Sequence, residues 1–115
     1  MRQMTRAGRL REARRIATIL RQSKPARIIL FGSSATGPVR PGSDIDLCIL
    51  VDSLNGRPSF RIKQDLYKLL MSQHYDFPVD VDVHVYTVAD FQDRLARNDP
   101  FLCNIASGQV LYERG

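Results

Sequence analysis

The chain has 115 residues, 43% of them hydrophobic, 25% charged and 8% aromatic, a composition that fits one compact globular domain and excludes the disordered and fibrous classes. A core of its own can form, but little chain is left for a second lobe around a bulky substrate. The net charge of +5 is confined to one segment: residues 1–27 carry nine Lys or Arg against one acid, and the rest carry eight against eleven.

Leu10, Ala13, Ile16, Ala17 and Leu20 recur at helical spacing and predict an amphipathic helix over about residues 8 to 22. It belongs to the same single domain, within a basic segment 1–24, and Pro25 stops it. Arg2, Arg6, Arg9, Arg11, Arg14 and Arg15 lie on this helix or its flank, where they form either a solvated face or a basic docking arm for an acidic partner or nucleic acid. Aromatic residues are not interleaved with these arginines, which argues against nucleic acid.

Ala26 to Phe31 reads as a buried strand ending on Gly32, and the Gly- and Pro-containing residues 37–43 as a loop. A second strand runs from Asp44 to Val51, with a turn at Asn55-Gly56. A helix over about 59–74 follows, with Ile62, Leu66, Leu69 and Leu70 as its apolar stripe and Pro58 at its start. Val79 to Tyr86 alternates strictly, with valines on one face and Asp80, Asp82, His84 and Tyr86 on the other. Thr87 and Asp90 open a helix to about Arg97; Asp99-Pro100 opens a shorter one, Gly108 ends it, and Val110 to Tyr112 adds a last edge strand. Helices between strands imply an α/β fold, a small mixed sheet with helices packed mainly on one face.

No window approaches the roughly 18 apolar residues of a membrane span, and Ile16 to Leu20 is too short for a signal peptide, so a cytoplasmic protein is expected. Cys48 and Cys103 both sit in apolar contexts and are expected as buried thiols rather than a disulfide or a zinc site.

The chemistry concentrates in Gly32-Ser33 and, ten residues on, Asp44-Ile45-Asp46. Residues two apart on a strand project the same way, so both carboxylates leave one face at the head of the second strand. Paired carboxylates repel unless a cation or proton intervenes, and hard oxygen donors of this kind suit Mg²⁺ or Mn²⁺. Gly32-Ser33 would open a brief helical turn whose backbone N–H groups receive a phosphate, with glycine allowing close approach. Asp80 and Asp82 supply further acids, either of which could complete a three-carboxylate site for two metals.

Phe31-Gly32-Ser33-Ser34-Ala35-Thr36-Gly37 together with Ser43-Asp44-Ile45-Asp46-Leu47 resembles the signature of the minimal nucleotidyltransferase family, within the DNA polymerase beta-like nucleotidyltransferase superfamily. Val81-Asp82-Val83-His84-Val85-Tyr86-Thr87 resembles that family's third-carboxylate strand and selects Asp82 over Asp80, and the segment from Asn98 to Glu113 is similar to the family's usual ending. Thr36 stands where many members carry Arg, and His84 where an apolar residue is common, so His84 is expected at the cleft rim.

The resemblance implies nucleotidyl transfer from ATP or another nucleoside triphosphate. Asp44 and Asp46 would bridge two Mg²⁺ (or Mn²⁺) ions, Asp82 would hold the ion at the nucleophile, and Gly32 and Ser33 would bind the β- and γ-phosphates. Relatives that modify small molecules or RNA add a helical acceptor domain, whereas small stand-alone members are paired with HEPN-domain toxins. The expectation is therefore an antitoxin that adenylylates a tyrosine of a HEPN-type toxin within a hetero-oligomer. The alternatives are a neutralising module that acts by contact alone, and a nucleotidyltransferase acting on a small molecule or RNA.

Overall fold

The computed structural model describes residues 5–32 and 45–114. Ser33, Thr36 and Asp44, the turn expected after Gly32, the loop at 37–43 and Arg2 lie outside the described residues.

The first helix, α1 (Arg6–Leu20), starts where the Thr5 hydroxyl accepts the Gly8 N–H at 3.0 Å, satisfying one of the donors a helix start leaves open. A 3₁₀ turn follows at Arg21–Ser23, and Lys24, at φ 59°, ends it before buried Pro25. The remaining elements are β1 (Arg27–Phe31), β2 (Ile45–Val51), α2 (Ser59–Ser72), β3 (Val81–Thr87), α3 (Val88–Ala96), α4 (Pro100–Ala106) and β4 (Gln109–Glu113).

The four strands form one mixed sheet in the order β3-β2-β1-β4. β1 runs antiparallel to both β2 and β4, whereas β2 and β3 are parallel. Helices α1 and α2, of 15 and 14 residues, cover one face, where Ile16, Leu20, Ile28, Leu30, Ile45, Leu47, Ile49, Leu66, Leu70 and Val83 pack together. The shorter α3 and α4 cover part of the other face, where Phe91, Leu102 and Ile105 meet Ile29, Phe31, Cys48 and Leu50. From Leu47 to Leu50 the apolar run of β2 is continuous because this central strand is buried from both sides; Asp46, just ahead of it, is only partly buried. At about 1.5–3 kcal/mol per fully buried large aliphatic side chain, these two clusters dominate folding.

Three expectations need correction. Arg9 is not on the solvent face: it is 2% exposed and continues the buried stripe one turn before Ala13, while Arg6, Arg11, Arg14 and Arg15 are exposed. A helix buries residues by angular position, and Arg9 lies four residues ahead of Ala13 on the same side. Cys103 is exposed on α4, although Cys48 is fully buried, because the apolar neighbours Leu102 and Ile105 take the inward positions of that helix. The third strand begins at Val81 rather than Val79. Phe77 adopts φ 49° just before Pro78, Val79 still belongs to the bend, and Asp80 only leads into the strand.

The caps follow the expected chemistry. The Thr87 hydroxyl accepts the Asp90 N–H at 3.0 Å, and the Asp99 carboxylate accepts those of Phe101 and Leu102 at the start of α4. Among the described residues, no helix is long and apolar enough to cross a membrane.

Candidate active site

Strand register brings the acids together. The parallel pairing of β2 with β3 sets Asp46 opposite Asp82 and Cys48 opposite His84, and the antiparallel pairing of β1 with β2 sets Phe31 opposite Asp46. All these side chains leave the α3–α4 face of the sheet, by the two-residue period that also sends Ile45, Leu47 and Val83 to the opposite core. Helical cover on this face ends at an aromatic corner. There Phe31, His84 and Phe101 meet edge-on, with ring centroids 5.3 Å (Phe31–His84), 5.7 Å (Phe31–Phe101) and 5.5 Å (His84–Phe101) apart. Beyond this corner the carboxylates are half-buried rather than roofed.

Asp46, Asp82 and His84 each offer a ligand atom, all within 4.8 Å of one another. His84 Nε2 lies 3.1 Å from one oxygen of Asp82, Oδ2, and the Lys63 ammonium of α2 lies 3.3 Å from the other, Oδ1. Asp82 is thus gripped at both oxygens. The backbone around it is fixed as well: the Tyr67 hydroxyl, also on α2, donates to the Val81 carbonyl at 2.7 Å and accepts the Val83 N–H at 3.1 Å. These are the groups on either side of Asp82 on the outer edge of β3, which would otherwise need water or another strand. Burial above all raises the Tyr67 pKa above the usual phenol value, keeping the hydroxyl proton available for Val81.

Gly32 sits at the end of β1 with φ 76°, and a Cβ there would lie 2.9 Å from Oδ2 of Asp46. The Asp46 carboxylate therefore rests against bare main chain, and a Cβ at this position would make it swing aside. A donor set of two carboxylates and an imidazole around this cradle suits a divalent cation.

Of the residues singled out in the sequence, Gly32, Asp46, Asp82 and His84 are brought together. Asp80 is not: it is exposed, and its carbonyl accepts the Ile45 N–H at 2.9 Å, pinning the start of β3 to β2. Ser33 and Asp44 flank the site in sequence and lie outside the described residues. Lys63, Tyr67 and Phe101 were not anticipated. Lys63 and Tyr67 are four apart on α2, each one residue after an apolar-stripe position (Ile62 and Leu66), so their alignment at the border of the buried face was the available signal.

An open groove of about 400 Å³, lined by Phe60, Lys63, His84, Tyr86 and Arg94, adjoins the cluster between α2 and α3. A cavity of about 460 Å³ lies at the other end of β2, around Val51 and Asp52, and contains none of the clustered acids.

In a sequence comparison no curated protein matches the chain. The family model described as a nucleotidyltransferase domain matches residues 13–106, which include Gly32, Asp46, Lys63, Tyr67, Asp82, His84 and Phe101. That match spans most of the chain and encloses the clustered carboxylates together with all but about the first two turns of α1. The chain belongs to the nucleotidyltransferase domain family, and its general chemistry is the transfer of a nucleotidyl group from a nucleoside triphosphate.

Proposed function

We propose that the chain transfers AMP from ATP to a hydroxyl of a partner protein, a tyrosine of a HEPN-type toxin for which it acts as antitoxin. The observation that carries the catalytic part is the convergence of Asp46 and Asp82 beside the Gly32 main chain. Asp44, Asp46 and Asp82 would hold two divalent ions, Mg²⁺ or Mn²⁺. Such ions lower the acceptor's pKa, neutralise the phosphoryl oxygens and stabilise the departing charge.

The chain's own residues do the rest. Gly32 and Ser33 receive the β- and γ-phosphates on backbone N–H groups. The acceptor oxygen attacks the α-phosphorus, the bond from that phosphorus to the bridging oxygen breaks, pyrophosphate leaves, and the hydroxyl proton departs toward Asp82. Lys63 and Tyr67 hold Asp82 in line for this.

A protein acceptor is favoured because the cover that α3 and α4 give this face stops at the Phe31–His84–Phe101 corner and leaves the acids half-buried. A docked partner surface would supply the positioning that in-line attack requires, with reacting atoms about 3–3.5 Å apart. The groove beside His84 and Lys63 gives a phenol a way in.

Incubation with ATP, Mg²⁺ and a candidate HEPN-type partner should add about 329 Da per AMP to the partner, the mass of the transferred group. Folded Asp46→Asn and Asp82→Asn variants should add none. An unmodified partner alongside a labelled small molecule or RNA end would overturn the protein acceptor, and full transfer by the Asn variants would overturn the site.

A further inference from the structure

Resting on the metal-dependent reading of this site, we propose that His84 is a direct ligand of the cation at Asp46 and Asp82 and that it tunes the site to Mn²⁺ over Mg²⁺. In a six-coordinate ion with bonds of roughly 2.1 Å, two neighbouring donors lie about 3.0 Å apart. His84 Nε2 and Asp82 Oδ2 are 3.1 Å apart, and an oxygen of Asp46 completes a group within 4.8 Å. The three donors come from two adjacent parallel strands with Asp46 opposite Asp82 and leave the same side of the sheet, so a cation held among them would keep its other side open to water or phosphate oxygens.

The surroundings suit ligation by this imidazole. Phe31, 3% exposed, and Phe101 hold the ring from its edges, fixing its plane so that Nε2 points at Asp82. Lys63 takes the other Asp82 oxygen at 3.3 Å, the outer partner that a ligating carboxylate normally has. A cation seated on Oδ2 therefore leaves the Lys63 contact in place. Imidazole is a poor donor for Mg²⁺, a hard ion that prefers oxygen throughout; Mn²⁺ shares that taste for carboxylates but, as a transition-metal ion, also bonds an imidazole nitrogen.

Mn²⁺ bound to the full chain can be observed by electron spin-echo spectroscopy, which detects a directly bonded imidazole nitrogen through its modulation of the echo. The chain has two histidines, His74 and His84. We expect ¹⁴N modulation from wild-type protein, its replacement by a ¹⁵N pattern when histidine alone is ¹⁵N-labelled, and its persistence in His74→Gln. In His84→Gln the modulation should vanish and Mn²⁺ affinity should fall about tenfold or more, at least the effect of losing an outer-shell partner. Mg²⁺ affinity, read by displacement of Mn²⁺, should change by less than about threefold.

Should His84→Gln fail to fold, the labelled wild type and His74→Gln decide the matter by themselves. Mn²⁺ that is lost in Asp46→Asn but shows no histidine nitrogen in the wild type overturns the role of His84 and leaves the metal-dependent reading standing. Modulation that disappears with His74 also overturns it. Absence of Mn²⁺ binding by the wild type overturns both.

Discussion

Replacing Gly32 by Ala tests how closely the site depends on bare main chain. The substitution has two separable costs. At φ 76° an L-residue with a Cβ pays about 1–2 kcal/mol for the left-handed conformation. The new methyl would also stand 2.9 Å from Oδ2 of Asp46. The far end of a carboxylate can swing away, at about 0.5–1.5 kcal/mol if its torsion is driven off a staggered well. The sum, about 1.5–3.5 kcal/mol, should appear in urea unfolding monitored by circular dichroism. A double-mutant cycle separates the parts: in an Asp46→Ala background the second cost disappears, so Gly32→Ala should then cost only about 1–2 kcal/mol. A functional effect should accompany the stability effect, because the swing moves a proposed metal ligand. Mn²⁺ affinity of folded Gly32→Ala, measured by titration calorimetry, should fall about tenfold or more, as for other losses of ligand orientation. Wild-type Mn²⁺ affinity, or a stability loss unchanged by removing the Asp46 carboxylate, would refute the cradle.

Arg9→Ala should destabilise the fold by about 2 kcal/mol or more through lost burial, whereas Arg11→Gln and Arg14→Gln should stay within about 0.5 kcal/mol, as surface changes do; equal thermal midpoints for the three would be inconsistent with the packing of α1. Tyr67→Phe removes the partner of the Val83 N–H and should cost about 1–3 kcal/mol, with faster hydrogen exchange at Val83 as the local readout; unchanged exchange would place the edge of β3 elsewhere. Burial pushes the Cys48 thiol up to about 12 from an ordinary 9.0. The folded state therefore holds this proton more tightly, and stability should fall as pH rises from about 9 toward about 12. Cys48→Ala should flatten that part of the pH–stability curve, and an unchanged slope would show that other groups set it. A thiol reagent should modify exposed Cys103 in the native protein and Cys48 only after unfolding.

The local elements and most of the site were legible in the sequence because they follow from periods the chain displays openly. Alternation from Val81 onward placed Asp82 and His84 on one face, and the Gly32 to Asp46 spacing marked the other half of the cluster. Registers were not legible. Nothing local states that β3 pairs parallel with β2, so the nearness of Asp46 to Asp82 and of His84 to Phe31 comes from long-range packing. The face of α2 was read from its leucines, which left Lys63 and Tyr67 as surface residues, although they stand at the border where a helix meets an edge strand. Arg9 was misplaced for the opposite reason, since a charge normally signals solvent and here occupies a buried helical position.

The position of β1 within the sheet bears on how the chain is made. β1 is the first strand to be synthesised, yet it lies inside the sheet, between β2 and β4, and β4 is the last of the four. While a ribosome adds α2, β3, α3 and α4, one edge of β1 has no strand to pair with, and such an edge invites pairing with other chains. Its closure also requires Gly108, where a side chain would run into the Leu30 carbonyl, and it is fastened by the ion pairs of Arg27 with Glu113 and of Arg114 with Asp52. The strand that ends at Gly32 is thus fully paired only after synthesis has passed residue 113, so a chain halted before that point exposes an aggregation-prone edge directly beside the residues that would bind the nucleotide.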